Sequence, residues 1–111
     1  MPNKEDVKAA LEAISKKFDD EKIARSFKTF NRKLVMDLTD LDIGFQLTLQ
    51  NGEVQSIDEG KFEEADIRIT IDSETLIGML NGTINVMTAF TARKFKVDGK
   101  MPDLMKLTKL F

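Results

Sequence analysis

The stretch that decides the fold is residues 82–106, GTINVMTAFTARKFKVDGKMPDLMK. Asn85 is suited to cap a short helix, because its side chain can accept a hydrogen bond from the first helical turn. The alternation in residues 94–98 predicts a strand, and Gly99 predicts a turn after it. Pro102 is predicted at the first position of a last amphipathic helix. Helix, strand and helix follow with almost no linker, so the preceding residues are expected to supply the sheet on which they pack.

Composition bounds the function. The 111 residues, net charge -2, contain no cysteine, histidine, tryptophan or tyrosine. A thiol nucleophile is therefore excluded, as are the usual general base and the usual transition-metal ligand. We expect one domain over residues 1–111, no cofactor, no metal and no nucleic-acid partner. No apolar run approaches ~18 residues, the N-terminus is too polar for a signal peptide, and the C-terminus is not the peroxisomal address. These features predict a cytoplasmic protein.

The chain predicts an α+β domain of about five strands and four or five helices. Asn3 should cap a first helix that ends near Phe18, and a second helix or irregular segment should cover 21–30. Ser73 should cap the helix that ends at Asn81-Gly82. Asn51-Gly52 predicts a type I′ turn, so the first three strands should be antiparallel neighbours, whereas the helical excursion before the fifth permits a crossover. Helices should gather on one dry face. The predicted strands are 33–39, 43–50, 53–58, 66–71 and 94–98.

Three aspartates invite comparison with a divalent-cation site. Asp37, Asp40 and Asp42 are close in sequence, but their spacing does not match a calcium loop. Asp40 falls where a turn is expected, so we interpret the group as turn and surface chemistry.

A basic cluster surrounds the fifth strand: Arg93, Lys94, Lys96 and Lys100. One interpretation is a solvated edge strand, because lysines discourage pairing between strand edges. The other is a site for anionic head groups or a phosphate-bearing ligand.

Methionines are concentrated in the same third of the chain, at positions 79, 87, 101 and 105. One interpretation is that they fill gaps in the core, as methionine often does. The other is a pliable wall for a variable apolar ligand. Three helices rich in methionine, leucine and phenylalanine offer more apolar surface than one face of a modest sheet can cover.

Four segments together resemble the sterol carrier protein 2 domain family: DIRITI (66–71), LNGTINVMTAF (80–90), KFKVDG (94–99) and LMKL (104–107). The resemblance implies a five-stranded mixed sheet with helices packed on one face, enclosing an apolar tunnel. It also implies non-catalytic binding and transfer of fatty acids, fatty acyl-CoA, phospholipid or sterol-like molecules. Val86 departs from the family, in which many members have proline. The missing peroxisomal address weakens any peroxisomal assignment.

The resemblance also implies which residues contact lipid. The wall is expected from positions on the later helices and from inward-facing strand positions. The basic residues Arg93, Lys94 and Lys100 are candidates for head-group contact. The expected lipid-binding residues are Phe45, Leu47, Ile69, Ile71, Leu76, Met79, Leu80, Met87, Phe90, Met101, Leu104 and Met105.

Two functional hypotheses stay open. The first is a lipid carrier, with transient contact to a membrane surface. The alternative is an interaction or dimerisation module, or an accessory domain that presents lipid to a lipid-metabolising enzyme. A small isomerase or hydrolase is disfavoured by the missing histidine and tyrosine. An empty cavity of ~300 Å³ would cost about 7 kcal/mol, so the site should collapse, stay filled or open at a mobile element. The helix at Pro102 is the element we expect to move, because it is terminal and held mainly by its apolar stripe.

Overall fold

A five-stranded mixed sheet forms the centre of the protein, as predicted. The structure, a computed structural model, describes residues 2–110. Met1 and Phe111 lie outside the described residues. Phe111 is the last residue of the C-terminus that was compared with the peroxisomal address, so that comparison extends beyond the described residues. The spatial order is β3-β2-β1-β4-β5, which leaves β3 and β5 at the edges. The strands are β1 Arg32–Leu38, β2 Ile43–Gln50, β3 Glu53–Gly60, β4 Ile67–Ile71 and β5 Phe95–Asp98.

Within residues 2–110, five α-helices accompany the sheet, and the longest is the first. Asn3 caps it through a reciprocal pair of 2.9 Å hydrogen bonds with Asp6. This arrangement satisfies two backbone N–H groups at the helix start. None of the helices within residues 2–110 is both long and apolar enough to span a membrane. The helices are α1 Lys4–Lys17, α2 Glu21–Ser26, α3 Ser73–Asn81, α4 Val86–Thr91 and α5 Met101–Leu107, and a 3₁₀ turn, Thr108–Leu110, follows α5.

Two predicted helix starts are wrong by one residue. Asp72, not Ser73, caps α3, because its carboxylate accepts hydrogen bonds of 2.8 Å from both the backbone N–H and the hydroxyl of Thr75. The Ser73 hydroxyl instead donates to the carboxylate of Asp40. Pro102 occupies the second position of α5, since Met101 already has helical geometry. The predicted cap of α4 is confirmed, because Oδ1 of Asn85 accepts a 2.9 Å hydrogen bond from the backbone N–H of Thr88.

Strand pairing follows the turns. β1–β2 and β2–β3 are antiparallel, and the positive φ values of Asn51 (54°) and Gly52 (80°) confirm the predicted hairpin turn. A Cβ on Gly52 would lie 2.7 Å from the carbonyl oxygen of Ala24, so this turn needs glycine to sit against α2. After α3 and α4 the chain forms β5, which pairs antiparallel with β4. β1 and β4 pair in parallel. No parallel crossover is therefore required between β4 and β5.

One face of the sheet is dry and carries the core. Leu34, Met36 and Leu38 of β1 are buried, and they pair with apolar residues on β2 and β4 that are buried except for the half-buried Ile43. The opposite face is mostly polar and carries an ion pair between Asp37 and Arg68. Burial thins at the β5 edge, where the apolar side chains are only partly covered.

The three aspartates have separate structural partners. Asp40 lies in the turn after β1 and accepts hydrogen bonds from the hydroxyl and backbone N–H of Ser73. Asp42 pairs with Lys61 at 3.1 Å, and Asp37 pairs with Arg68. Across the described part of the chain, no group of three or more acidic, histidine or cysteine side chains is placed to hold a metal ion.

Candidate ligand-binding surface

The predicted lipid-contacting residues fall into two sets, and the first lies in the core. Its members are at most 6% exposed and belong to one cluster of apolar side chains. The cluster joins the dry face of the sheet to α1 and α3. The buried set is Phe45, Leu47, Ile69, Ile71, Leu76 and Met79.

The second set is exposed. Met87 and Phe90 on α4 are 67% and 53% exposed, and Met101 and Met105 on α5 are 66% and 64% exposed. We call these four residues the apolar patch. They are the large hydrophobic residues that stand exposed within residues 2–110. Leu80 and Leu104 are intermediate in exposure between the two sets, and they pack half-buried against the core.

The apolar patch flanks the edge strand β5. α4 enters β5 through a three-residue turn, and the rings of Phe90 and Phe95 lie 5.7 Å apart. α5 leaves the other end, where Leu104 lies close to Gly99. A four-residue strand spans about 10 Å, so the two helices bracket a short strip of the sheet. Phe95 and Val97 form that strip, half-buried, and pair with Ile71 and Ile69 of β4.

Exposed cations share this edge. Arg93, Lys94, Lys96 and Lys100 form no ion pair within the described residues. An open cavity of about 760 Å³ brings three of them together with Phe90 and the β5 strip; Thr70, Phe90, Thr91, Arg93, Lys94, Phe95, Lys96 and Val97 line it. A second cavity, of about 620 Å³, lies on the α3 side of α4 and is lined by Lys94, Ile84, Ala89 and polar side chains.

Both cavities open to solvent, and neither is the enclosed apolar tunnel that the resemblance implies. The first contains Phe90, Arg93 and Lys94 of the predicted residues but not Lys100 or the three exposed methionines. The buried set packs against itself, which avoids the free energy that an empty apolar cavity of similar size would cost.

Polar contacts hold α5 to the protein. Asp103, 6% exposed, accepts hydrogen bonds from Nε and Nη2 of Arg32 at 2.8 and 3.1 Å. These bonds raise the pKa of Arg32. Lys106 donates to the carbonyl oxygen of Ser26 at 2.8 Å, and Leu107 is buried. The expectation that α5 is held mainly by its apolar stripe is therefore incomplete.

α4 is attached more weakly. Ala89 is its one buried residue, and Val86 is half-buried. Among the described residues, no α4 side chain donates to or accepts from another helix or strand. A six-residue helix also has little intrinsic stability, so α4 depends on a few apolar contacts.

Two groups were missed by the sequence reasoning. Phe95 and Val97 were assigned to a strand but not to the site, although their alternation already placed them on the apolar face. Arg32 and Asp103 are 71 residues apart, and Asp103 looks like an ordinary acidic residue in a first helical turn. No local pattern could have paired them.

The comparison with known families decides the assignment. A profile of the SCP-2 sterol transfer family matches residues 11–111. The chain belongs to the SCP-2 sterol transfer family. Membership in the SCP-2 family implies lipid binding or transfer, and an SCP-2 domain is typically non-catalytic. No curated protein sequence matches the chain significantly.

Solved structures agree on the SCP-2 fold. The sterol carrier protein domain 2 of Helicoverpa armigera is similar at a TM-score of 0.73, with 23% identity over 98% of this chain and 89% of that one. Palmitated SCP2L2 from Aedes aegypti is similar at 0.66, with 16% identity over 91% and 89%. The sec-alkylsulfatase Pisa1 from Pseudomonas sp. is similar at 0.65, with 23% identity over 78% of this chain but 13% of the sulfatase. This chain thus spans a small part of that enzyme's length.

Proposed function

We propose that this protein is a non-catalytic carrier of single-chain lipids, such as fatty acids or fatty acyl-CoA, in the cytoplasm. The observation that carries the proposal is the arrangement around β5. Within residues 2–110, the four exposed large hydrophobic residues lie on the two helices that flank this strand, and four cations without ion pairs lie between them. A lipid with an apolar chain and an anionic head group matches this combination of exposed hydrophobic side chains and cations.

In this proposal the acyl chain lies on Phe95 and Val97, between α4 and α5. Met87, Phe90, Met101 and Met105 are its outer contacts, and Leu80 and Leu104 are its lateral ones. The buried set then forms the floor beneath the strip, with Met79 its most adaptable member. An anionic head group meets Arg93, Lys94 and Lys100. The structure of palmitated SCP2L2 supports a fatty acyl chain as the ligand class, because this chain has the same fold.

Energetics require a closing movement. Full transfer of a sixteen-carbon chain from water to an apolar environment releases about 12 kcal/mol, at ~0.8 kcal/mol per methylene. Association costs ~4–15 kcal/mol. An open surface covers roughly one side of the chain and so releases about 6 kcal/mol, too little for tight binding. Part of the protein must therefore fold over the lipid.

We assign that movement to α4 rather than to α5. The ion pair between Arg32 and Asp103 and the hydrogen bond from Lys106 to Ser26 hold α5 in place. The shorter α4 has one buried residue and no comparable polar contact. Segments with few buried contacts open most easily.

Lipid bound to the purified full chain is the direct test. Native mass spectrometry after incubation with palmitate should show one lipid per chain. Met105→Glu should weaken binding at least tenfold, because it places a carboxylate against the acyl chain. Ala13→Glu, on the exposed side of α1, adds the same charge away from the site and should bind as the unmodified chain does.

Equal binding by Met105→Glu and Ala13→Glu would remove α5 from the site. Absence of bound lipid from the unmodified chain would contradict the carrier function. If that lipid-free chain also eluted as a dimer, the interaction module would replace it.

A further inference from the structure

Methionine supplies all the sulfur in this sequence. The chain contains six methionines and no cysteine, so sulfur oxidation can take place only on thioethers. A hydroperoxide oxidises a thioether to the sulfoxide, and methionine sulfoxide reductases reverse the change. Because the reaction needs access to the sulfur, the burial of each methionine decides where oxidation occurs.

The methionines of the described residues divide sharply by exposure. Met87, Met101 and Met105, which we call the patch methionines, are 67%, 66% and 64% exposed. Met36 and Met79 are 1% and 5% exposed. No leucine or isoleucine within residues 2–110 is exposed, so the large aliphatic side chains that stand exposed in this part of the chain are all thioethers. Accessible sulfur is therefore concentrated on the two helices that flank β5.

We propose that the patch methionines are a reversible oxidation site that switches lipid binding off. The proposal rests on the carrier function above and adds its regulation by hydroperoxides. In the reaction the sulfur lone pair attacks one oxygen of hydrogen peroxide, so that an S–O bond forms and the O–O bond breaks. Sulfur loses two electrons, and the proton on the transferred oxygen moves to the departing hydroxide, which leaves as water. A dithiol consumed by the reductase returns the sulfoxide to the thioether, with release of water and a disulfide.

A sulfoxide changes how the apolar patch meets an acyl chain. Each patch methionine is an outer contact of the chain in the carrier function, so bound lipid covers its side chain. The sulfoxide oxygen accepts hydrogen bonds from water, and a methylene chain that covers it supplies no donor in return. Each sulfoxide covered in this way weakens binding about tenfold. Met101 and Met105 are one turn apart on α5, so their sulfoxides lie on the same side of the helix.

Oxidation at these positions leaves the core intact. Met36 and Met79 belong to the cluster of buried side chains, whereas the patch methionines do not. Changes at exposed positions alter stability little, so full oxidation of the patch methionines should lower the melting temperature by less than about 4 °C. Loss of lipid binding would then reflect the chemistry of the surface and not unfolding.

Peptide mass spectrometry of the full chain after timed exposure to hydrogen peroxide locates the site. An exposed fraction of at least 64% against at most 5% predicts that the patch methionines oxidise at least ~tenfold faster than Met36 and Met79. Saturating palmitate should slow oxidation of the patch methionines at least ~threefold, because the acyl chain covers them, and should leave that of Met36 unchanged.

Palmitate affinity measured before and after peroxide tests the switch. Oxidation of the three patch methionines should weaken binding at least ~tenfold. Treatment with methionine sulfoxide reductases and a dithiol should restore the original affinity, because the thioethers are regenerated. Failure to restore binding would show irreversible damage and overturn the reversible site.

Two leucine variants separate the patch from the core. A combined variant, Met87→Leu, Met101→Leu and Met105→Leu, lacks the accessible thioethers, so peroxide should change its palmitate affinity less than ~twofold relative to its own untreated form. Met36→Leu is the matched control, because it removes a core thioether while nearly conserving volume. Its palmitate affinity should fall on oxidation as that of the unmodified chain does.

The remaining outcomes each overturn a defined part of the account. Equal oxidation rates at Met36 and the patch methionines would overturn the site. Selective oxidation of the patch methionines with unchanged palmitate affinity would overturn the switch and leave the carrier function intact. An undiminished loss of affinity in the combined leucine variant would assign the effect to another residue. Absence of palmitate binding before peroxide would overturn the carrier function and the switch together.

Discussion

Replacing Arg32 with glutamine tests how α5 is held. Asp103 is buried, and Arg32, about one third exposed, supplies its two hydrogen bonds. Loss of one partner from a fully buried pair costs ~3–5 kcal/mol, and from a surface pair ~0–1 kcal/mol. The intermediate exposure of this pair suggests about 2 kcal/mol. The Arg32 guanidinium also lies 5.0 Å from the Phe30 ring, worth ~0.5 kcal/mol more.

Urea unfolding at neutral pH should therefore show that Arg32→Gln is less stable by about 2–3 kcal/mol. Arg25→Gln is the matched control, because Arg25 pairs with Glu21 on an exposed helix face and should cost less than about 0.5 kcal/mol. Hydrogen exchange should also rise in α5 of Arg32→Gln more than in β1 or β2. Equal destabilisation by the two variants, or unchanged exchange in α5, would refute the assigned role of the ion pair.

Three further predictions follow from individual contacts. Gly78→Ala should destabilise the fold by about 1–2 kcal/mol despite alanine's better helix propensity, because its Cβ would clash with Cδ1 of Ile84 and lie 2.6 Å from Cγ1 of the same residue; thermal unfolding checks this. Partial burial raises the pKa of Asp40, but hydrogen bonds from Ser73 outweigh it and leave the pKa below its ordinary value. Asp40 thus stabilises the fold above its unfolded pKa near 4, and Asp40→Asn should be less stable at pH 7 with a deficit that shrinks as pH falls below 4. In the lipid-free chain, amides of α4 should exchange faster than those of α5.

Much of the fold could be predicted because its signals are local. The alternation of Phe45, Leu47 and Leu49 gave a strand, and Asn51-Gly52 gave the hairpin that pairs it. Helix starts were less certain, because adjacent residues compete for the cap. Asp72 and Ser73 are both good caps; in the structure Asp72 caps α3, while the Ser73 hydroxyl donates to the distant Asp40.

The candidate site was less predictable. Periodicity placed apolar residues on one helix face, but it could not say whether that face meets the core or solvent. Met79 and Met87 are both methionines on predicted helices in the same third of the chain, yet the first is buried and the second is two-thirds exposed. Their difference depends on how α3 and α4 pack on the sheet, which is tertiary information. The pairing of Arg32 with Asp103 is non-local for the same reason.

The most direct test of the account is the response of the methionine methyl groups to lipid. ¹³C-methyl NMR of the full chain, titrated with palmitate, separates methionines at the proposed site from one in the core. Signals of Met87, Met101 and Met105 should shift and saturate at one equivalent, while that of Met36, buried on β1, should stay in place. Shifts confined to Met36, equal shifts at all positions, or no shift with palmitate bound would contradict binding between α4 and α5.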